Sequence, residues 1–357
     1  MPSFSLVIVG SGGGPDETNL SAYLFKPFDS AWEDGILALE AGSGQGALAQ
    51  LLRQNPQLFD SPGLASSSTR SKPFTSAEIY SLVTAFLITH AHLDHINSLV
   101  ISAGSLKGTR KRIYASKQIL QDLETIFSDR IWPNLASWDE GDEEFKLLYT
   151  TLQQSHYDVV YPSVSVCCMP LSHGHNSGGC YESSAFFVRH DASSCEFLFF
   201  GDVEPDKVSS RPRTLHVWRA AAPKIPHKLS TIFIECSWPC GRKDDALYGH
   251  LSPEHLVDEL CALAVEVVNH RRGQTTPPVA RTRPLRKRQK KNPVTPDDLL
   301  NSLHGLRVYI IHCKDNGDAH PDKPMRHVIT EQVNALVAKR GLGARVLVAE
   351  PGMSVEI

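Results

Sequence analysis

A mixed α/β (or α+β) fold is predicted by two patterns that alternate along the 357 residues. Short apolar runs, rich in β-branched and aromatic types and closed by glycine or polar residues, read as buried strands. Between them lie helical patterns, one of them with a clear start signal. In chain order, FSLVIV opens the protein as a strand, and GSGGGP at 10–15 reads as a tight turn after it. ILALE at 36–40 is the next strand, and EAGSGQGA at 40–47 reads as a strand-to-helix turn. Residues 54–74 are rich in Ser and Pro and read as a loop. TSAEIYSLVTAF at 75–86 is a helix candidate with Thr75 or Ser76 as its N-cap, and FLIT at 86–89 is a strand. SKQILQDLETIF at 116–127 is a second helix candidate. The acid-rich stretch Trp132 to Glu144, with Trp138, is a candidate cover for a site. SVCCMPL at 165–171, AFFV at 185–188, FLFF at 197–200 and IFI at 232–234 follow as strands. SPEHLVDELCALAVEVV at 252–268 is the clearest helix, with Ser252 as N-cap and Pro253 at the first helical position. VYII at 308–311, a helix from Met325 to Lys339 and RVLV at 345–348 complete the chain.

Residues 271–296 break this alternation. They are rich in Lys, Arg and Pro and contain no acidic residue, a composition that buries no core. The expected organisation is one domain, 1–357, with a disordered basic insertion at 271–296. A net charge of −3 gives no reason to expect a membrane or nucleic-acid partner. The first residues carry no basic start and no small-residue cleavage site, and no apolar run approaches bilayer length, so no leader or span is read. Eight scattered cysteines form no CxxC array, which fits reduced thiols and a cytoplasmic protein. The run RKRQKK at 286–291 leaves a nuclear address open, though a solvated loop is the commoner meaning of such a run.

The segment FLITHAHLDHINSL contains the spacing H-x-H-x-D-H directly after an apolar strand. His90 and His92 alternate, so at the end of an extended segment they project to one side. Asp94 and His95 follow as the chain turns and can face a neighbouring site. Imidazoles with a carboxylate suit zinc, manganese or iron. Downstream, His173 ends CCMPLSHG, Asp202 ends FLFFGD and His312 ends VYIIHC. A single such residue after a strand is ordinarily a satisfied loop side chain. Three in the order His, Asp, His after H-x-H-x-D-H form a far more specific signal. GSGGGP is not a dinucleotide loop, because Pro15 takes the place of the third glycine of G-x-G-x-x-G.

This order of ligands resembles the metallo-β-lactamase superfamily over nearly the whole chain. The resemblance implies a four-layer αββα sandwich with the metals at one edge. It implies that His90, His92 and His173 hold one divalent metal, that Asp94, His95 and His312 hold a second, and that Asp202 bridges them. Zinc is the default from the donor set. Within the superfamily the chain is similar to the class II 3′,5′-cyclic-nucleotide phosphodiesterases of the fungal low-affinity type. HAHLDHINSLVIS, GSGGGPDETNLSAYLF, LALEAGSGQGAL, PLSHG, FFGDVEPD, IFIECSW and GHLSPEHL carry that similarity. The implied reaction is hydrolysis of 3′,5′-cyclic AMP, with cyclic GMP open, to the 5′-monophosphate. The implied catalytic residues are His250 as proton donor to the leaving oxygen, Glu235 as its orienting partner, and the ligand Asp94. The family shows Asp where Glu40 stands, and the basic insert is outside the shared pattern. His175, Asn176 and Ser177 beside His173 are either substrate contacts or a polar loop.

Two other readings use the same residues. A tRNA 3′-processing endonuclease of this fold shares the ligands and the Glu–His pair, but needs an extended basic arm. A binding protein that has lost catalysis would show a replaced Asp94 or Asp202, and neither is replaced. The expected partner is a small cyclic nucleotide, and a homodimer is compatible with either catalytic reading.

Overall fold

The computed structural model describes residues 1–60, 72–177, 179–274, 293–315 and 323–357. Among the described residues, one sheet has eight strands in the order β15 (Ser354–Glu356), β1 (Phe4–Gly13), β2 (Leu20–Pro27), β3 (Ile36–Leu39), β4 (Val83–Leu87), β5 (Lys111–Ala115), β7 (Leu147–Thr151) and β6 (Ala136–Ser137). The other has seven: β14 (Arg345–Val348), β13 (Arg307–Ile311), β12 (Leu229–Glu235), β11 (Cys195–Phe200), β10 (Gly179–His190), β9 (Val164–Asn176) and β8 (Tyr157–Tyr161). Helices α1 (Gln45–Gln54), α2 (Ser76–Leu82), α3 (Leu93–Ser102) and α4 (Lys117–Ile126) pack on the outer face of the first sheet. Helices α5 (Thr214–Ala221), α6 (Pro253–Gln274) and α7 (Met325–Arg340) pack on the outer face of the second. The layers run helix, sheet, sheet, helix, as the sequence resemblance implied. No helix among the described residues is long and apolar enough to cross a membrane.

The inner layer is aromatic. Phe4, Tyr23, Phe25, Phe197, Phe199, Phe233 and Tyr309 are buried between the sheets. They meet mostly edge to face: Phe4 and Phe197 at 5.2 Å between ring centres, Tyr23 and Phe199 at 5.0 Å. Phe233 lies flat on Tyr309 at 4.9 Å. Strands covered on both faces need no polar alternation, which is why β3, β4, β11, β12 and β13 read as unbroken apolar runs. The pairs β3–β4–β5 and β11–β12–β13–β14 are parallel, so each set ends on one edge of its sheet. In open α/β sheets that carboxyl edge is where sites are built.

Local signals set most boundaries. Thr75 caps α2 by accepting from the Glu78 amide, and Glu78 returns a bond to the Thr75 amide. Pro253 starts α6, directly after Ser252. Gly341, in the left-handed conformation at φ 65°, ends α7.

Five expectations are corrected. The helix expected over 75–86 stops at Leu82, and Val83–Leu87 becomes β4. Its β-branched Val83 and Thr84 and its apolar Phe86 gain more from pairing between β3 and β5 than from another helical turn. Asp94 and His95 lie in the first turn of α3, not in a turn before it. Gly10–Gly13 belong to β1, so the tight turn comes later, at Gly14. Arg271–Gln274 are the last turn of α6 instead of the start of the expected insertion, whose residues 275–292, with the run 286–291, lie outside the described residues. Finally, 132–144 does not cover the site. Ala136 pairs with Leu147, which pairs with Lys111 at the start of β5, the edge opposite the carboxyl end of β4. Trp138 instead packs on Tyr149 and bonds Glu124 of α4.

Phe233 contacts Tyr23, Phe197, Phe199 and Tyr309. Replacing it with Ala leaves a cavity that rings from both sheets cannot close. The expected cost is about 3–5 kcal/mol in urea unfolding, and a loss below about 1 kcal/mol would show that the inner layer repacks freely.

Candidate metal centre

Strand ends bring the chemistry together. His90 stands three residues beyond β4, and His92 is the N-cap of α3, whose first turn carries Asp94 and His95. His173 lies in β9, Asp202 follows β11, Glu235 is the last residue of β12 and His312 follows β13. His250 precedes the start of α6. The nine residues singled out in the sequence therefore meet at one edge. Two groups of facing donor atoms share Asp202: His90, His92 and His173 with Asp202, and Asp94, His95 and His312 with Asp202.

Asp202 is the hub. Its Oδ2 lies 3.6 Å from Nε2 of His90, 3.6 Å from Nε2 of His173 and 3.3 Å from Nε2 of His312, while Oδ1 lies 3.4 Å from Nε2 of His95. The three longest of these are looser than most hydrogen bonds, as expected of donors that face a common point between them. Nε2 of His90 and both ring nitrogens of His95 are buried without a hydrogen-bond partner. Buried polar nitrogens do not ordinarily stay unsatisfied, and a cation among them answers the need. Asp94 Oδ2 completes the second group at 3.1 Å from Nε2 of His312 and 3.9 Å from Nε2 of His95.

The electrostatics suit a cation as well. Burial pushes His173 down to about 3 and His90 well below the ordinary imidazole range, toward the neutral form that binds metal. Burial alone would raise Asp202, but the His312, His95 and His90 imidazoles outweigh it and hold the carboxylate well below its ordinary value. Burial also works against charge on His95, yet Asp202, Glu40 and Asp94 together raise it. Those carboxylates offer the same negative charge to a divalent cation. The donor set and its burial thus fit a divalent metal.

A layer of supporting groups fixes which nitrogen each imidazole presents. His173 donates from Nδ1 to the Gly249 carbonyl at 2.8 Å. Nδ1 of His90 lies 3.1 Å from the Thr89 hydroxyl, which donates to buried Glu40. Nδ1 of His312 lies 3.0 Å from the Ser237 hydroxyl, which lies 2.8 Å from Glu235 Oε2. Each of these two candidate ligands therefore leans on a hydroxyl that leans on a buried carboxylate. Glu40 also sits 3.6 Å from Nδ1 of His95. Sequence reasoning marked Glu40 only as a departure from the family and missed Thr89, Ser237 and Gly249. Their signal was position: each lies within two residues of a candidate ligand or catalytic residue.

The Glu235–His250 pair lies beside the hub. His250 donates from Nδ1 to Glu235 Oε1 at 3.1 Å, and its ring stacks on His312 at 5.2 Å. Glu235 also accepts from the Val203 and Leu251 amides, so a buried carboxylate is fully satisfied. His175 is exposed on the β9–β10 hairpin.

Glycines let the backbone approach the ligands. A Cβ on Gly13 would fall 2.5–2.9 Å from the His312 ring atoms, and one on Gly42 would collide with the Asp94 carbonyl. Gly13→Ala is therefore expected to displace His312 and to cut bound metal per chain by at least about half. Metal analysis of the purified variant checks this, and full occupancy would show that the ring has room to yield.

The family model for class-II cAMP phosphodiesterases matches residues 62–352. A 3′,5′-cyclic-nucleotide phosphodiesterase of Schizosaccharomyces pombe is 36% identical over 273 residues, spanning 73% of this chain and 75% of its own. The crystal structure of unliganded yeast PDE1 aligns over 100% of both chains with a TM-score of 0.80 at 25% identity. A metallo-β-lactamase fold protein of Bacillus subtilis, at 11% identity and a TM-score of 0.55 over 99% of each chain, shares the fold. A family match that spans the segment from His90 to His312, well beyond any short motif, means that the chain belongs to the class-II cAMP phosphodiesterase family.

Proposed function

We propose that this protein hydrolyses 3′,5′-cyclic nucleotides, cyclic AMP first among them, to nucleoside 5′-monophosphates at a two-metal centre. The observation that carries the reading is the pair of donor groups sharing Asp202, with Glu235–His250 beside them. His90, His92 and His173 would hold one cation, Asp94, His95 and His312 the other, and Asp202 would bridge them. Zinc suits imidazole and carboxylate donors of this kind. Such a pair of cations supplies Lewis acidity toward the phosphate oxygens and a water acidic enough to attack at neutral pH.

The chain's own contribution is positioning and proton control. The bond between phosphorus and the 3′ oxygen breaks as a water oxygen bonds phosphorus, and the departing oxygen needs a proton. Glu235 can only accept, so Nδ1 of His250 keeps its hydrogen and Nε2 is left as the atom that carries the proton in question. Burial of Glu235 and its four hydrogen-bond donors keep the imidazole from turning. Burial of the ligand cluster excludes bulk water from the reacting centre. A site that draws residues from Gly13 to His312 also favours reading the whole chain as one domain.

Purified, metal-loaded protein is expected to convert cyclic AMP to 5′-AMP and to stop when chelated. His250→Ala is expected to keep its metal while kcat falls by about 10²–10⁴. Asp202→Ala is expected to lose metal and nearly all turnover together. Near-normal turnover in Asp202→Ala would sink the two-metal assignment, and unchanged kcat in His250→Ala would remove its role as proton donor.

A further inference from the structure

Three large apolar side chains stand in solvent around an otherwise buried, polar centre. Leu93 is 67% exposed, Tyr181 is 41% and Tyr248 is 71%. Each is tied to a ligand. Leu93 is bonded in sequence to both His92 and Asp94. The Tyr181 ring stands edge-on to His92 at 5.0 Å and lies 6.4 Å from the His173 ring. Tyr248, held at φ 54°, precedes Gly249, whose carbonyl receives the His173 Nδ1 hydrogen.

The hairpin aims Tyr181 deliberately. Register between β9 and β10 shifts between Cys180–His175 and Glu182–Ser172, so His173 and Gly174 together oppose Tyr181. Gly174 is in the left-handed region at φ 73°. A bulge of this kind re-aims side chains beside a site, and here it turns a metal-ligand candidate and a tyrosine to the same face. An aromatic ring exposed beside a polar centre offers a face on which a ligand ring can stack.

We propose that Tyr181 is a positioning residue for the purine base of the cyclic nucleotide, which stacks on its ring while Leu93 and Tyr248 border the same apolar rim. The inference rests on the phosphodiester being held by the adjoining metal centre. The cavity of about 400 Å³ beside α3, lined by Gln45, Gln50, Asn97, Ser102 and others, offers amides and hydroxyls but no aromatic face.

The test measures binding of 5′-AMP and of inorganic phosphate to metal-loaded protein by calorimetry, with cyclic AMP kinetics alongside. Tyr181→Leu is expected to weaken 5′-AMP about tenfold, leave phosphate unchanged, raise KM for cyclic AMP by a similar factor and keep kcat within about twofold. Tyr181→Phe, which keeps the ring, is expected to match wild type. Ile131→Ser, at an exposed apolar residue on the opposite sheet edge, is expected to change nothing. Equal weakening of phosphate and 5′-AMP, a Phe variant as impaired as the Leu variant, or loss of metal in Tyr181→Leu would each overturn the proposal. So would a Leu variant with unchanged 5′-AMP affinity. Binding does not depend on turnover, so Tyr181-dependent 5′-AMP binding without cyclic AMP hydrolysis would overturn the functional reading and leave base recognition standing.

Discussion

A carboxylate buried among imidazoles is the constraint around which this molecule is organised. Asp202 is enclosed, and four ring nitrogens from three separate segments lie 3.3–3.6 Å from its oxygens. Removing a carboxylate from water is costly, and convergent donors or a cation held among them must offset the cost. Convergence in turn demands that strands from both sheets end at the same edge. The glycines at 13, 42 and 201 are the steric expression of that demand. A Cβ at Gly201 would collide with Thr89, where the ends of β4 and β11 meet. Larger residues there would hold the sheets apart and open the donor shell.

The supporting layer repeats one device on both sheets. On the first, His90, Thr89 and Glu40 form a chain of imidazole, hydroxyl and carboxylate. On the second, His312, Ser237 and Glu235 form the equivalent chain. The second chain has an extra consequence, because Glu235 also receives Nδ1 of His250. A metal-ligand candidate and the proton-donor candidate thus share one carboxylate, and neither can rotate without disturbing the other. Loss of Ser237 should therefore be felt at His250 as well as at His312, through lost orientation instead of lost charge.

How much of this could be read from residues alone follows from where the information lies. Candidate ligands after strands were legible because buried parallel strands are continuous apolar runs, and a His or Asp closing one stands out. His90 and His92 were placed correctly by alternation. Asp94 and His95 were placed in the right neighbourhood and the wrong element, because the α3 N-terminus has a histidine at its cap and no Ser, Thr, Asp or Asn. Val83–Phe86 looked helical because the α2 pattern runs on into it, and only pairing with β3 and β5 decides otherwise. Strand β2 was missed because its pattern is mixed, with Lys26 buried and bonded to backbone carbonyls. The contacts of Thr89, Ser237 and Gly13 depend on the approach of two sheets, a relation between distant segments that no local pattern encodes.

The division between a charged interior and an apolar rim also divides the work the site would do. Groups that hold the phosphate and the departing oxygen act on charge that develops only as the bond breaks, so they bear on kcat. A ring that stacks a base interacts equally with substrate and transition state, so it bears on KM and leaves the chemical step alone. Tyr181 is suited to the second task because its ring stands edge-on to His92 at 5.0 Å and tilted to His173 at 6.4 Å, beside the donor group. His250 is suited to the first because its bonded partner is a fixed buried carboxylate and its ring stacks beside His312. The same edge of the sandwich can therefore discriminate among phosphodiesters by what lies on the rim, while the buried donors remain indifferent to everything except the phosphate.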